Sequence, residues 1–303
     1  MRTNVRCSDT NGSAYKAGPF YICTLVEISN MDTILVPVDF SPASRTASSY
    51  AAALAKASKA RLILFHAYMM PTPVTEVPYV MISVNELQTE NEQMIRREAA
   101  VLHENFGIEV ESQVQIGMPS DEITLAALES KADMIVIGMR GAGGLDKLIG
   151  NTSASVVRKA KTPVLVVPHN AIFKPVNQIV YASDFSYSSS LNLFRPLLEI
   201  ADMFQALLHV VNIRKAATIG NTEKEMQSKS MISGLLGSVK HEFTIITDES
   251  ITHGINNYVD QHDVQMLVMV AHKHTFFERL FSRIHTTEMA YQTKIPLLVL
   301  HDG

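Results

Sequence analysis

Residues 33–68 read "TILVPVDFSPASRTASSYAAALAKASKARLILFHAY", and residues 178–212 read "QIVYASDFSYSSSLNLFRPLLEIADMFQALLHVVN". Each stretch opens on an apolar run, passes through Asp-Phe-Ser, continues at helical spacing and closes on a second apolar run. Short runs rich in Val, Ile and Leu suit strands that are covered on both faces. Between them, Ser41 followed by Pro42 reads as a helix N-cap and a first-turn proline. Ala47, Tyr50, Ala51 and Leu54 then recur on one helical face. Aligned on the repeat, Asp39 pairs with Asp184, Ser41 with Ser186 and His66 with His209. The two halves also close alike, on "KTPVLVVPHN" at 161–170 and "KIPLLVLHDG" at 294–303. An internal repeat of this length means two copies of one fold.

Inside a half, strand and helix signals alternate. After "RLILFHAY" come a long amphipathic helix at about 83–105, a strand "EVESQVQIG", a helix "PSDEITLAALESKA" and a strand "MIVIG". A loop, a helix "TSASVVRKA" and a strand "PVLVVP" follow. That rhythm predicts an α/β fold: two similar doubly wound domains, each a five-stranded mostly parallel sheet with helices on both faces. The expected boundaries are 31–169 for the first domain, 170–177 for a linker and 178–303 for the second. Residues 1–30 lack periodicity over most of their length and are read as a disordered arm or a misassigned start, with "YICTLVEI" as a short docking strand in the alternative.

Composition removes several classes of function. A net charge of −4 offers no basic field for nucleic acid or an anionic membrane. No apolar run approaches the roughly 20 residues of a membrane helix. Two cysteines, Cys7 and Cys23, cannot staple a chain of 303 residues, so a reducing, cytoplasmic setting is expected.

The densest glycine segment is "GMRGAGGLDKLIGNT", residues 138–152, directly after the strand "DMIVIG". Glycines let backbone amides turn inward, and the helix beginning near Thr152 adds the partial positive charge of its N-terminus. Such a loop cradles a phosphate, or it reverses the chain and does nothing more. It is neither a Walker A loop nor a dinucleotide fingerprint, because no Gly-Lys-Ser/Thr follows and the position is the fourth strand of the half. Ligands of open α/β sheets sit at the carboxyl ends of strands, and Asp39, Ala67 and Gly138 all fall at such ends.

Taken together, "ILVPVDFS", "IGMRGAGGLDKLIGNT" and the terminal "TPVLVVP" resemble the universal stress protein family in a tandem form. The resemblance spans nearly all of residues 31–303 and implies the adenine nucleotide alpha hydrolase-like fold. It further implies that the first domain binds ATP, with or without Mg. Asp39 would lie by the adenosine after Pro37, and the backbone at His66–Ala67 would meet the adenine edge. Gly138, Arg140, Gly141 and Gly150 would hold the phosphates, with Asn151 and Thr152 at the position where a hydroxyl is offered. Two features depart from the family: the loop is one residue short, and Asn151 replaces the usual Ser or Thr. In the second domain Val270 stands for Gly138 and Lys273 for Gly141, so no ATP site of the family type is expected there.

The resemblance also makes the last strand of each half a self-association strand, pairing within the chain or between two chains. A stress-response regulator or adaptor with an adenine nucleotide ligand and further protein partners is the implied role. An interaction module with a vestigial site and a slow ATPase are the alternatives. His272, His274 and His285 read as loop histidines rather than metal ligands, because no acid or cysteine stands at a familiar spacing. Ser120 in "MPSD" reads as a helix N-cap, and no catalytic residue is assigned.

Overall fold

The structure, a computed structural model, describes residues 31–70, 84–139, 151–185, 191–215, 222–271 and 294–301. The long N-terminal segment 1–30 with its "YICTLVEI", Ser186 and the histidines at 272, 274 and 285 lie outside these residues.

The first half runs β1 (Thr33–Pro37), α1 (Pro42–Ser58), β2 (Arg61–Tyr68), α2 (Val84–Phe106), β3 (Val110–Ile116), α3 (Pro119–Glu129), β4 (Met134–Met139), α4 (Asn151–Lys159) and β5 (Val164–Pro168). The second half repeats the pattern as β6 (Gln178–Ala182), α5 (Leu191–Phe204), β7 (Leu207–Arg214), α6 (Thr222–Leu236), β8 (His241–Thr247), α7 (Ile251–Gln261), β9 (Met266–Ala271) and β10 (Leu297–His301). All strands join one sheet in the order β3-β2-β1-β4-β5-β10-β9-β6-β7-β8. Every neighbouring pair is parallel except β5 with β10, where Leu297, Leu298 and Val299 face Val166, Leu165 and Val164. The strands that close the two halves therefore meet inside the chain, and among the described residues the sheet's outer edges are β3 and β8. Along β3 the side chains alternate between half-buried and exposed, as an edge strand facing solvent on one side should.

Each helix is built from local signals. Ser41 caps α1, its Oγ accepting from the Ser44 N–H at 3.2 Å, and Pro42 occupies the first turn. The helix ends on Lys59 in the left-handed conformation, with φ of 61°. Ala47, Tyr50, Ala51 and Leu54 are buried against the sheet as their spacing predicts. Ser120 does not cap α3. Met118 holds the cap position without a side-chain bond, and the Ser120 hydroxyl turns sideways to Asp121 Oδ1 at 3.3 Å. Pro119 explains the shift, because a proline suits the first turn and leaves Ser120 already inside it.

Two apolar layers sandwich the sheet. One gathers Ile34, Val36, Leu62 and Leu64 with α1 and α2, and continues through Leu208, Val210 and Leu298 to Phe194, Leu197 and Ile200 of α5. The other joins Leu35, Ile135, Val164 and Val299 to Ile123 of α3, Val156 of α4 and Ile255 of α7. Both layers run unbroken from one half into the other.

Polar contacts reinforce that junction. Asp133 Oδ2 accepts from the backbone N–H groups of Asp32 and Thr33 at 2.9 and 3.1 Å, while its Oδ1 meets Arg195 of α5 at 2.6 Å. His301 of β10 reaches α4, where its Nε2 lies 2.7 Å from Val157 O. Across the same seam Glu199 is buried on α5, its oxygens without hydrogen-bond partners and Arg195 Nε 3.5 Å away. Burial lifts its pKa from 4.5 to about 7; Arg195 pulls it down, and the charges of Asp133 and Asp32 push it up.

An acid whose folded pKa is raised loses its proton in the unfolded chain first. Stability therefore falls as pH rises from 4.5 towards about 7 and is level above that. Glu199→Gln is expected to stabilise the protein at about pH 8 by on the order of 2 kcal/mol, discounted for partial screening, and to change little below about pH 4. Denaturant unfolding of both chains at the two pH values checks this.

Candidate functional site

The sheet order reverses between β1 and β4, which both lie beside the same strand ends in the first half. Crevices outside carboxyl ends at such a switch point are where open α/β sheets place ligands. Val38 extends the β1 ladder by donating to Phe65 O at 2.9 Å. Phe40 then adopts a left-handed backbone, φ of 61°, and Phe185 does the same in the second half with φ of 58°. For a bulky residue this costs on the order of 1 kcal/mol or more. It turns the chain sharply enough to start α1 beneath the strand ends. Within the turn, Asp39 Oδ1 accepts from the Ser41 N–H at 3.0 Å, and Asp39 stands exposed just past the carboxyl end of β1.

Close by, Glu98 of α2 feels the same charge. Burial raises its pKa, Arg45 at 3.7 Å lowers it, and Asp39 raises it further.

The other wall comes from β2. His66 Nδ1 stands 2.7 Å from Val38 O, so that ring nitrogen carries the proton and donates. The ring packs at 4.7 Å on Phe40 and stacks over Tyr68 at 5.8 Å with planes 14° apart. His66 thus ties the ends of β1 and β2 together, and Ala67 follows it half-buried at the strand end. Its counterpart in the second half is not His209. The register Thr33↔Arg61 against Gln178↔Leu207 adds one residue to the second connection, which places Asn212 opposite His66. Asn212 does the same work, donating its Nδ2 to Ser183 O at 2.8 Å. His209 lies deeper, bonded to Gln178, Tyr258 and Glu242 near the opposite end of the sheet.

At the end of β4, a Cβ built on Gly138 would lie 2.5 Å from Ala43 O and 2.8 Å from Ala43 C. The first turn of α1 presses its backbone onto this glycine, so helix packing alone already requires it. The strand end is also tied to α4, where Ser153 Oγ donates to Gly138 O at 3.1 Å. Sequence reasoning missed Ser153; its place in the first turn after the glycine loop was the available signal. α4 opens at Asn151 with Thr152 exposed in its first turn, so the positive end of this helix lies beside the end of β4.

Of the residues expected at a ligand site, Pro37, Asp39, Ala67 and Gly138 are brought to neighbouring strand ends, with Asn151 and Thr152 at the α4 terminus. Arg140, Gly141 and Gly150 lie outside the described residues. In the second half the strand registers place Val270 at the position of Gly138. Among the described residues no group of three His, Cys, Asp or Glu side chains is placed to hold a metal ion, and no helix is long and apolar enough to cross a membrane.

Two parallel half-sheets joined at their closing strands, each with helices on both faces, define a tandem doubly wound α/β protein. The chain belongs to the universal stress protein family, whose sequence pattern matches it twice, over residues 30–168 and 175–301. A universal stress protein of Thermus aquaticus is 35% identical over 137 residues, covering 45% of this chain and 97% of the relative. Another, from Methanocaldococcus jannaschii, is 31% identical over 139 residues, covering 44% and 80%. The crystal structure of a universal stress protein from Archaeoglobus fulgidus superposes with a TM-score of 0.69 over 91% of this chain and all of its own. At 16% identity that is a likeness of fold alone.

Gly138→Val places a branched side chain against the α1 backbone. It is expected to destabilise the chain by about 1–3 kcal/mol, the range for overpacking a filled site. Urea unfolding against the parent protein measures the difference.

Proposed function

We propose that the first half, residues 31–169, binds one ATP at the ends of β1, β2 and β4, with or without Mg. The reading rests on one juxtaposition: the end of β4, the strand that pairs with β1 and its Asp39 end, is tied to the first turn of α4 through Ser153, and the sequence between them is the glycine-rich stretch 138–150. Backbone amides freed by glycine and the positive end of a helix favour an anion. Asp39 and the His66–Ala67 backbone supply hydrogen-bonding groups for an uncharged nucleoside end. The second half, residues 178–303 beyond the connector 170–177, does not take ATP in this manner, because Val270 carries a side chain where Gly138 has none. The protein acts as a cytoplasmic nucleotide-sensing regulator or adaptor in stress response.

A second reading is favoured by the shortened loop and by Asn151. In that reading the site is vestigial, and the chain works through its surfaces alone.

Calorimetric titration of nucleotide-stripped protein with ATP, beside a Gly141→Asp variant, separates the two. One equivalent of ATP bound by the parent and lost in the variant is the expected outcome. No binding at millimolar ATP would establish the vestigial reading instead.

A further inference from the structure

Two carboxyls on the seam between the halves share one cation. Arg195 of α5 donates from Nη2 to Asp133 Oδ1 at 2.6 Å, while its Nε stands 3.5 Å from Glu199 Oε1 without closing a hydrogen bond. The three side chains differ in freedom. Glu199 is 3% exposed and Asp133 14%, whereas Arg195 is 40% exposed. The guanidinium therefore has room to turn between its two neighbours, and they have little room to follow it.

A buried carboxyl with neither oxygen hydrogen-bonded suits the neutral form, because an ionised one in that place needs a donor. The charges that act on it are Arg195 on its own helix, Asp133 at the entry to β4 and Asp32 at the entry to β1. The elements beside α5 add no further charge. β10 meets it with Leu298 and Leu300. On α6, Glu225 pairs with Arg214 at 2.7 Å and Lys229 lies over Phe185 and Phe243, so both are committed elsewhere. Asp202 of α5 and Glu223 and Lys224 of α6 are exposed.

We propose that Glu199 is a proton-operated latch between the halves. With its proton on, it leaves Arg195 to Asp133, and α5 stays tied to the carboxyl that brackets the start of β1. With its proton off, it draws the guanidinium to itself and away from Asp133, and the tie loosens. Asp133 Oδ2 holds the N–H groups of Asp32 and Thr33, so those two amides register the change. The latch opens as pH rises through about 7, the same direction in which ionising a buried acid lowers stability. All of this lies at the amino ends of β1 and β4, opposite the ends where a nucleotide is proposed, so the inference does not rest on that reading.

NMR of the full chain from about pH 5.5 to about pH 8.5 tests it. The Glu199 carboxyl, the Arg195 Nε–H and the backbone N–H of Asp32 and Thr33 are expected to shift with one midpoint at about pH 7. Glu199→Gln, which keeps the shape and removes the ionisable group, is expected to abolish the step at the other three positions. An Arg195 signal that stays flat while Glu199 ionises would overturn the latch, whether or not the variant folds. So would a Glu199 carboxyl that stays in one form over the whole range, or a step at Arg195 that persists in Glu199→Gln.

Discussion

The antiparallel contact between β5 and β10 is the interaction on which the rest of the arrangement depends. Val164, Leu165 and Val166 are wholly buried, and so are Leu298 and Val299 opposite them. A strand of this composition cannot stand at the edge of a sheet, where its unpaired backbone and apolar faces would recruit another chain. Pairing it with its own repeat satisfies the ladder and covers both faces at once. From that contact the two apolar layers pass between halves, and Asp133 with Arg195 and His301 with Val157 pin the helices on either side.

Beyond the seam, the halves solve the same local problems with different residues. Asp133 brackets the start of β1 by accepting from Asp32 and Thr33, and Gln265 brackets β6 by accepting from Asn177 and Gln178 at 3.0 and 2.9 Å. His66 and Asn212 each bond the carbonyl that ends the neighbouring strand. What repeats is a hydrogen-bond requirement of the backbone, and a ring nitrogen or an amide meets it equally well. The strained turn at Phe40 and Phe185, by contrast, keeps its residue type in both halves.

This separates what could be read in the amino-acid sequence from what could not. The strands, the α1 cap at Ser41 and the buried face of α1 were legible because their causes are local: β-branched runs, an N-cap hydroxyl before a proline, a helical period. The fold class followed from the repeat, and the pairing of the closing strands from the resemblance to the family, which left open whether it falls within the chain or between two chains; the structure places it within. His66 was misaligned with His209 because identity was matched where register decides: the strand registers set His209 at the position of Ile63, three residues before Asn212. Ser120 was misread as a cap because Pro119 before it claims the first turn. At the candidate site, Asp39 and Gly138 were visible as strand-end residues, whereas the reason Gly138 has no side chain was not. That reason is the Ala43 carbonyl, a contact between positions 95 apart in the chain (138 minus 43), which no local pattern encodes.

The connector between the halves has a consequence for change over time. In a dimer of identical chains every substitution appears twice, so a side chain added at the glycine of one crevice is added at the other. Here Gly138 and Val270 are separate codons at equivalent places. One set of strand ends is free to change in size and polarity without changing the other, and the shared sheet keeps both in a single molecule whose halves do not part on dilution.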